Sequence, residues 1–437
     1  MRTINYCLIS ACFLGSLLFV NSCKEEPIVV DPVSSDTLTT ATTKAAVAAL
    51  TANYYVSLTG SNSNAGTMAK PFKTIEYALS KCKGTELIYV RGGTYKPADN
   101  TKNYGLLIKG YNGKDANNRI KIWAYPGERV VLDLSSMKAN NDGIFGLSIS
   151  ANNIHIAGFD VVKMPQNRGA SGYGYYNIGI LIKGNNVTLE NCTSHDNGGT
   201  GINIGGTATG TLLRNCDAYN NYDPYTNLNG KAAPGGNADG FHITVSGSTS
   251  THKLVGCRAW NNSDDGFDCY GTNGFITIDS CWAFKNGYLP NDSQSKGDGS
   301  GIKLGVTSVI NQLKKVVTHN LAAYNRMEGF TQNKGYVIMN VSNNTAYGNG
   351  SSQFDFGNKL SGTQITMTNN ISVGSVYTPY PIQKNNSWNL KVTANADDFK
   401  STSIALLKAA RKANGNLPVN DVFRLKTTSD LKALGAF

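Results

Sequence analysis

Short apolar segments alternate with polar turns along most of this 437-residue chain. Early segments of this kind lie at 53–57, Leu87–Val90, Ile120–Ala124 and 130–134, and each has the length of a strand. Segment 70–79 differs, because its apolar residues recur at intervals of three and four behind a proline near its start. That spacing predicts a short amphipathic helix, which would cover the open N-terminal end of a repetitive fold.

The chain repeats itself from about residue 152 onward, most clearly in a six-residue unit. The unit contains a small or apolar residue, any residue, a small residue, an aromatic residue or His, any residue and usually Asn. Its copies begin at Cys192, Cys216, Cys257, Cys281, Leu321 and Asn344, so the steps are 24, 41, 24, 40 and 23 residues. Periods of this order are typical of solenoids and propellers. A base period near 24 residues is too short for a four-stranded propeller blade, but it accommodates three strands and three turns.

The repeat therefore predicts an all-β protein, a right-handed parallel β-helix in which each coil supplies three strands. Equivalent positions would stack as ladders of Cys, of aromatic residues and of Asn. Residues 53–437 are predicted to form this β-helix as one domain. Insertions at 222–236 and 287–299 lengthen two coils and should emerge as loops on one face, which is often the binding face. Segment 402–413 predicts a C-terminal helical segment that covers the last coil or packs along its side.

The N-terminal residues have the character of an export signal. Arg2 precedes an apolar run at 7–20 that is too short to span a bilayer. The run ends at Cys23 in a pattern that resembles a bacterial lipoprotein signal, and a charged Lys-Glu-Glu stretch follows. We predict a signal peptide at 1–22, lipidation of Cys23, a flexible tether at 23–52 and an exported protein held at the outer membrane surface by its lipid alone. A plain cleaved signal is the alternative.

The net charge indicates which partners to expect, and the positions of the cysteines indicate whether disulfides form. The net charge is +11, and removal of Arg2 with the signal leaves +10, an excess that attracts polyanions. The sequence has no nucleic-acid-binding motif of the usual kinds, so an acidic polysaccharide is the expected partner of what we take to be a monomer. Four of the nine cysteines occupy the first position of the repeat. A stack of small buried thiols explains them better than disulfides do.

Segment 261–270 concentrates carboxylates. Asp264, Asp265 and Asp268 lie within five residues, and Asp239 precedes the first two by 25 and 26 residues, close to one coil. The spacing of parallel strands would set Asp239 about 5 Å from the Asp264–Asp265 pair. Four carboxylates repel one another unless a cation compensates them, and oxygen ligands of this kind suit Ca²⁺. The simpler alternative is a polar turn that ends a strand.

Lys303 is the candidate base. It lies 35 residues after Asp268, one long coil further on, and the alternation in 301–305 directs it to the outer face of its strand. Most exposed lysines are merely solvated. Next to a divalent cation, however, the ammonium form is disfavoured, and the resulting lower pKa would make Lys303 a usable base.

The order Asp239, Asp264-Asp265, Asp268 and Gly-Ile-Lys303-Leu-Gly resembles polysaccharide lyase family nine, the β-helix pectate and rhamnogalacturonan lyases. The resemblance runs from about Tyr54 to the C terminus. It implies that the four aspartates bind calcium and that Lys303 is the Brønsted base of a β-elimination on a pectin backbone. Five further residues are within plausible reach and serve either the substrate or the structure: His242, Tyr270, Asp298, Arg326 and Lys334.

Three questions stay open on the sequence. Polygalacturonate and rhamnogalacturonan I both present galacturonate at the cleaved bond, and we lean only slightly to polygalacturonate. A β-helix glycoside hydrolase also pairs carboxylates, but it needs one of them as a protonated acid. A non-catalytic surface protein that binds glycans would have no need of Lys303.

Overall fold

The computed structural model describes residues 50–138, 142–169, 174, 176–305, 309–359, 364–390 and 392–437. The expected signal peptide, Cys23 and the tether up to residue 49 lie outside the described residues. Parallel strands form three long sheets along a right-handed coil, which is the β-helix that the 24-residue period predicts. In this described part, no helix combines the length and the apolar character needed to cross a membrane.

Each complete coil contributes one strand to each sheet, and the strands pair in parallel with those of the neighbouring coils. Sheet I has twelve strands: Tyr54–Val56, Leu87–Val90, Ile120–Ala124, Ile154–Ala157, Thr188–Glu190, Thr211–Arg214, Thr251–Val255, Phe275–Asp279, Val309–Thr318, Tyr336–Ser342, Ile365–Thr368 and Ile382–Lys384. Sheet II has ten: Gly93–Tyr95, Val130–Asp133, Phe159–Val162, Thr193–His195, Asp217–Tyr219, Arg258–Trp260, Trp282–Phe284, Leu321–Ala323, Thr345–Tyr347 and Ile371–Val373.

Sheet III also has ten strands: Tyr104–Ile108, Phe145–Ile149, Ile178–Ile182, Thr200–Gly206, Phe241–Val245, Phe267–Asp268, Ile302–Lys303, Phe330–Thr331, Phe354–Asp355 and Val376–Tyr377. A short antiparallel hairpin, Asn227–Leu228 with Lys231–Ala232, lies in the first long insertion. Apolar residues alternate inward along the strands and fill the interior of the coil.

The predicted ladders are present. The four repeat cysteines are free and buried, and the backbone N–H of Cys257 donates to Cys281 Sγ at 3.4 Å. Four rings stack with centroids 4.2 to 5.5 Å apart: His195, Tyr219, Trp260 and Phe284. Six asparagines pass a hydrogen bond from Nδ2 to the next Oδ1 at 2.9 to 3.1 Å: Asn197, Asn221, Asn262, Asn286, Asn325 and Asn349.

The repeat unit that the sequence pattern places at Leu321 begins one residue earlier in the structure. Leu321 pairs with Trp282, so the residue that stacks on Cys281 is Asn320. Asn320 Oδ1 accepts from the backbone N–H of Cys281 at 2.8 Å. Its Nδ2 then begins a second ladder of asparagines: Asn320, Asn344, Asn370 and Asn386. The error arose because the first position changes from Cys to Asn, and the apolar Leu321 resembled a Cys more closely.

The N-terminal helix is shorter than predicted. It spans Ile75–Leu79, and the Thr74 side chain caps it by accepting from Tyr77 N at 3.2 Å. The residues before it form backbone hydrogen bonds with the first strand instead, as Phe72 N does with the Tyr55 carbonyl oxygen. The helix packs on the first two strands of sheet I and covers the N-terminal end of the core.

The C-terminal segment packs along the side of the coil. Its helical part is a single turn, Ile404–Leu407, with 3-10 turns at Ser387–Asn389 and Ala396–Asp398. The side chain of Arg258, on sheet II, donates to the carbonyl oxygens of Leu407 and Ala409 at 3.0 and 2.8 Å. Of the two positions that the sequence allowed for the helical spacing, the structure shows the lateral one.

Two basic side chains face the apolar interior. His252 and Lys315 both pair in register with Ile276, and both are buried. Burial lowers the pKa of His252 to about 4 and that of Lys315 to about 8. The Lys315 ammonium has one long hydrogen bond, to the Gly274 carbonyl oxygen at 3.5 Å.

Candidate active site

Four aspartates lie on two consecutive coils, where the chain turns from sheet II into sheet III and enters the strand. Phe241 pairs with Phe267, and this register sets Asp239 opposite Asp265, as their separation of 26 residues predicts. The backbone N–H of Asp265 donates to Asp239 Oδ1 at 3.1 Å. Stacked turns thus bring together carboxylates that are distant in the sequence.

Glycines fix the turn that carries these aspartates. A Cβ atom added to Gly266 would lie 2.6 Å from the Gly301 carbonyl oxygen and 2.7 Å from Asn286 Nδ2. Gly240, in the previous coil, has equally close neighbours. Because a side chain has no room there, Asp265 must be followed by glycine. The Asn ladder holds this turn at the same place on successive coils.

The cluster is buried, and its carboxylates repel one another. One carboxylate oxygen from each of Asp239, Asp264 and Asp265 lies within 4.8 Å of the others. Burial, and then the neighbouring carboxylates, raise the pKa of Asp239 and of Asp264 well above the usual value. Burial and Asp268 also raise the pKa of Asp265, to about 6, although Lys303 opposes them. The candidate metal ligands are hard carboxylate oxygens that lie close together, so the residues fit a calcium ion.

A histidine extends the cluster along sheet III. His242 pairs with Asp268, and its Nδ1 lies 3.4 Å from Asp239 Oδ2. These three residues also place one ligand atom each within 4.8 Å of one another. Burial lowers the pKa of His242. The hydroxyl of Tyr176 lies 2.7 Å from His242 Nδ1. Tyr176 is not among the residues expected from the sequence, because nothing in its local sequence indicates that it reaches a histidine 66 residues away.

Lys303 lies directly beside the aspartates. It pairs with Asp268, and its Nζ is 2.8 Å from Asp265 Oδ2 and 3.4 Å from Asp268 Oδ2. Burial lowers the pKa of Lys303, but Asp265, Asp268 and Asp264 outweigh burial and raise it well above the usual value. The expectation from the sequence is a lowered pKa of Lys303 beside a bound cation. The carboxylates by themselves act in the opposite direction, so Lys303 becomes a base only where their charge is compensated.

This arrangement agrees with the comparisons to known proteins. A family model described as the Pel9A-like, right-handed β-helix region matches residues 54–376, well over half of the chain. The chain belongs to this family. The match confirms the resemblance to polysaccharide lyase family nine and the right-handed β-helix.

Relatives of this Pel9A-like chain are named as lyases. Pectate lyase L of Dickeya dadantii is 32% identical over 86% of this chain and 84% of its own length. Pectate lyase PEL9 of Emericella nidulans is 29% identical over 85% and 91%. Among solved structures, pectate lyase Pel9A superposes with a TM-score of 0.75 at 32% identity, over 87% of this chain and 91% of that one. A rhamnogalacturonan lyase superposes with a TM-score of 0.74 at 27% identity, over 88% and 99%.

Two more of the residues named from the sequence border Lys303 in this Pel9A-like chain. Asp298 Oδ2 lies 3.5 Å from Lys303 Nζ, and the backbone N–H of Asp298 donates to Asp264 Oδ1 at 2.6 Å. The exposed Tyr270 places its ring centroid 6.0 Å from Lys303 Nζ. Both side chains therefore lie beside the Lys303 ammonium.

The remaining two candidates do not join the cluster. Arg326 donates through Nη2 to the Gly297 carbonyl oxygen, so its guanidinium holds the second long insertion. Lys334 is exposed in the turn after Phe330–Thr331. Among the described residues, the structure records no contact between Lys334 and the aspartates.

A further aspartate supports the Pel9A-like site from the first insertion. Asp223 is buried; its Oδ1 accepts from Ser263 Oγ at 3.1 Å, and its Oδ2 accepts from Thr226. Burial raises the pKa of Asp223 to about 6. Ser263 directly precedes Asp264, so Asp223 ties the insertion to the acidic turn. The only sequence signal was its place in an insertion beside that turn.

Proposed function

We propose that this protein is a calcium-dependent polysaccharide lyase that cleaves a galacturonate-containing pectin backbone by β-elimination. One observation carries the proposal: Lys303 Nζ lies 2.8 Å from Asp265, within a buried cluster of oxygen donors. Names of relatives at about 30% identity support the same reaction. The cleaved polymer is polygalacturonate or rhamnogalacturonan I, as the two solved relatives differ in this respect.

The reaction assigns a proton transfer to Lys303. Its neutral amine takes the proton from C5 of the galacturonate, the C4–O4 bond breaks, and a double bond forms between C4 and C5. The leaving O4 oxygen takes a proton from solvent. Asp265 and Asp268 hold Nζ in place through the contacts at 2.8 and 3.4 Å. A bound Ca²⁺ would supply positive charge against the carboxylate as negative charge develops on it.

Ultraviolet absorbance of the unsaturated product tests this proposal. The purified protein is offered polygalacturonate and, separately, rhamnogalacturonan I, each with calcium and with a chelator. We expect a calcium-dependent rise on at least one polymer. New reducing ends without ultraviolet absorbance would indicate a hydrolase instead. Retention of polymer without any cleavage would indicate a surface protein that only binds glycans.

We also propose that the protein is an exported monomer anchored at the cell surface through a lipid on Cys23. The support is the N-terminal sequence: a short apolar run that ends at a cysteine. Labelling of cells with a clickable fatty acid tests the anchor, with Cys23→Ser as the matched variant. Label on the wild type alone supports it, whereas label on neither protein contradicts it. Light scattering of the purified protein tests the monomer.

A further inference from the structure

Tyr176 is held at both ends although its ring is not enclosed. It directly precedes Asn177, a buried residue whose side chain accepts from Ile144 N at 2.8 Å and donates to the Pro165 carbonyl oxygen at 3.0 Å. At the other end, the Tyr176 hydroxyl lies 2.7 Å from His242 Nδ1 and 3.2 Å from Thr200 Oγ1. The backbone and the phenol oxygen are therefore both fixed.

Tyr176 is nevertheless exposed to solvent as a residue. The residue is 37% exposed, while its hydroxyl sits close enough to Asp239 that burial and this carboxylate raise the pKa of the phenol. Thr200 Oγ1 donates its own proton to the Asn237 carbonyl oxygen at 3.1 Å and so accepts from Tyr176. An exposed tyrosine whose hydroxyl is fixed by two hydrogen bonds offers an apolar ring surface in a defined place.

The ring lies at the edge of the proposed reaction centre. His242, Asp268 and Lys303 occupy one outward row on three neighbouring strands of sheet III. The Tyr176 hydroxyl contacts the first of them, so it is two strand spacings, about 10 Å, from the lysine row position. A sugar bound at Lys303 would have its neighbour in the chain near this ring.

We propose that Tyr176 is an aromatic platform for the sugar that neighbours the cleaved galacturonate on the His242 side. The pyranose ring presents C–H groups on one face, and this face packs on an aromatic ring whatever charge the sugar carries. The two hydrogen bonds of the hydroxyl orient the platform before the polymer arrives, which reduces the entropy lost on binding. This inference rests on the proposed function, because it requires a polysaccharide in the same groove.

Binding to an inactive protein tests the platform without reference to turnover. In the Lys303→Ala background, calorimetry with calcium measures the Kd for oligogalacturonates of increasing length and for rhamnogalacturonan I oligosaccharides. Tyr176→Phe keeps the ring and loses the hydroxyl, so we expect a Kd within about threefold of the parent. Tyr176→Ala removes the ring and should weaken binding about tenfold. The loss should be absent for oligomers too short to reach the ring.

Tyr111→Ala is the matched control, since Tyr111 is also 37% exposed but lies in the turn that precedes Ile120–Ala124. Equal weakening by Tyr176→Phe and Tyr176→Ala would overturn the platform and leave a purely structural hydrogen bond. Unchanged binding by Tyr176→Ala would overturn it as well. If the Lys303→Ala parent binds no pectin oligomer at all, the proposed function itself fails, and the platform fails with it.

Discussion

At the scale of single residues, removal of Lys303 should take away the proposed base while the surrounding coil keeps its fold. General-base catalysis is worth about 10²–10⁴ in rate, so Lys303→Ala should lower kcat by at least about a hundredfold. Ultraviolet product formation measures the loss, and circular dichroism checks the fold. Lys253→Ala, an exposed lysine on sheet I, is the control and should keep full activity. Wild-type rates from Lys303→Ala would remove Lys303 from the mechanism.

Lys315 carries a prediction about stability. Burial lowers its pKa to about 8 in the folded chain, from 10.5, so folding disfavours the charged form. Below pH 8 the folded protein carries nearly the full free-energy cost of burying the charged ammonium. The free energy of unfolding therefore rises between about pH 8 and 10, where the folded state has lost this proton and the unfolded state has not. Lys315→Met should therefore stabilise the protein by about 1–3 kcal/mol at pH 7 and flatten that rise.

Urea unfolding at pH 7 and pH 10 measures the effect of Lys315→Met. Lys253→Met repeats the substitution at an exposed position of sheet I and should change stability little at either pH. A variant less stable than the wild type at pH 7 would show that the buried ammonium is stabilised by more than its hydrogen bond to the Gly274 carbonyl oxygen.

At the scale of elements, the turn between sheets II and III determines where the carboxylates lie. Gly266→Ala would set a Cβ atom 2.6 Å from the Gly301 carbonyl oxygen. We expect a loss of about 2 kcal/mol in stability and weaker calcium binding, because Asp265 must move with the turn. Gly247→Ala is the control, since its nearest neighbour would be 3.5 Å away. Calorimetry with calcium and thermal unfolding measure both effects.

The period of the repeat is sufficient to predict the strands and their order, but it is not sufficient to predict their exact register. A 24-residue spacing of small, aromatic and Asn positions left few alternatives to a parallel coil, and three ladders followed from it. Leu321 shows the limit: its apolar side chain fits the first position of the pattern better than Asn320 does, and only the pairing of Trp282 with Leu321 assigns that position to Asn320. The predicted length of the N-terminal helix was wrong for a related reason, since the residues near Phe72 form backbone hydrogen bonds with the first strand.

At the scale of the whole molecule, calcium should act as a structural ligand that links neighbouring coils. Ca²⁺ at a hundred times its Kd would stabilise the wild type by about 2.7 kcal/mol. Asp239→Asn should lose most of that gain. In chelator the same variant should be more stable than the wild type, because it removes one charge from a cluster whose pKa values are raised. Thermal unfolding with calcium and with chelator measures this reversal; equal shifts in both proteins would place the ion elsewhere.

Most of the candidate site could be predicted from the sequence, because its carboxylates and Lys303 lie at whole-coil intervals. Tyr176 and Asp223 could not be predicted, since both reach the cluster from irregular segments outside the repeat. Arg326 also lies at a whole-coil position, but its guanidinium donates to the Gly297 carbonyl oxygen and not to the aspartates. Position in a repeat thus predicts proximity, while the direction of a long side chain depends on its own neighbours.

The stacked turns have a consequence for how such a protein changes size. Asp239, Asp265 and Lys303 lie on three successive coils, because Phe241 pairs with Phe267 and Asp268 pairs with Lys303, so the strand spacing sets how far apart these groups are attached. A coil added or deleted at either end should therefore lengthen or shorten the three sheets without disturbing the candidate site. The number of coils therefore sets the length of the molecule, while the spacing of neighbouring coils sets the geometry of the site.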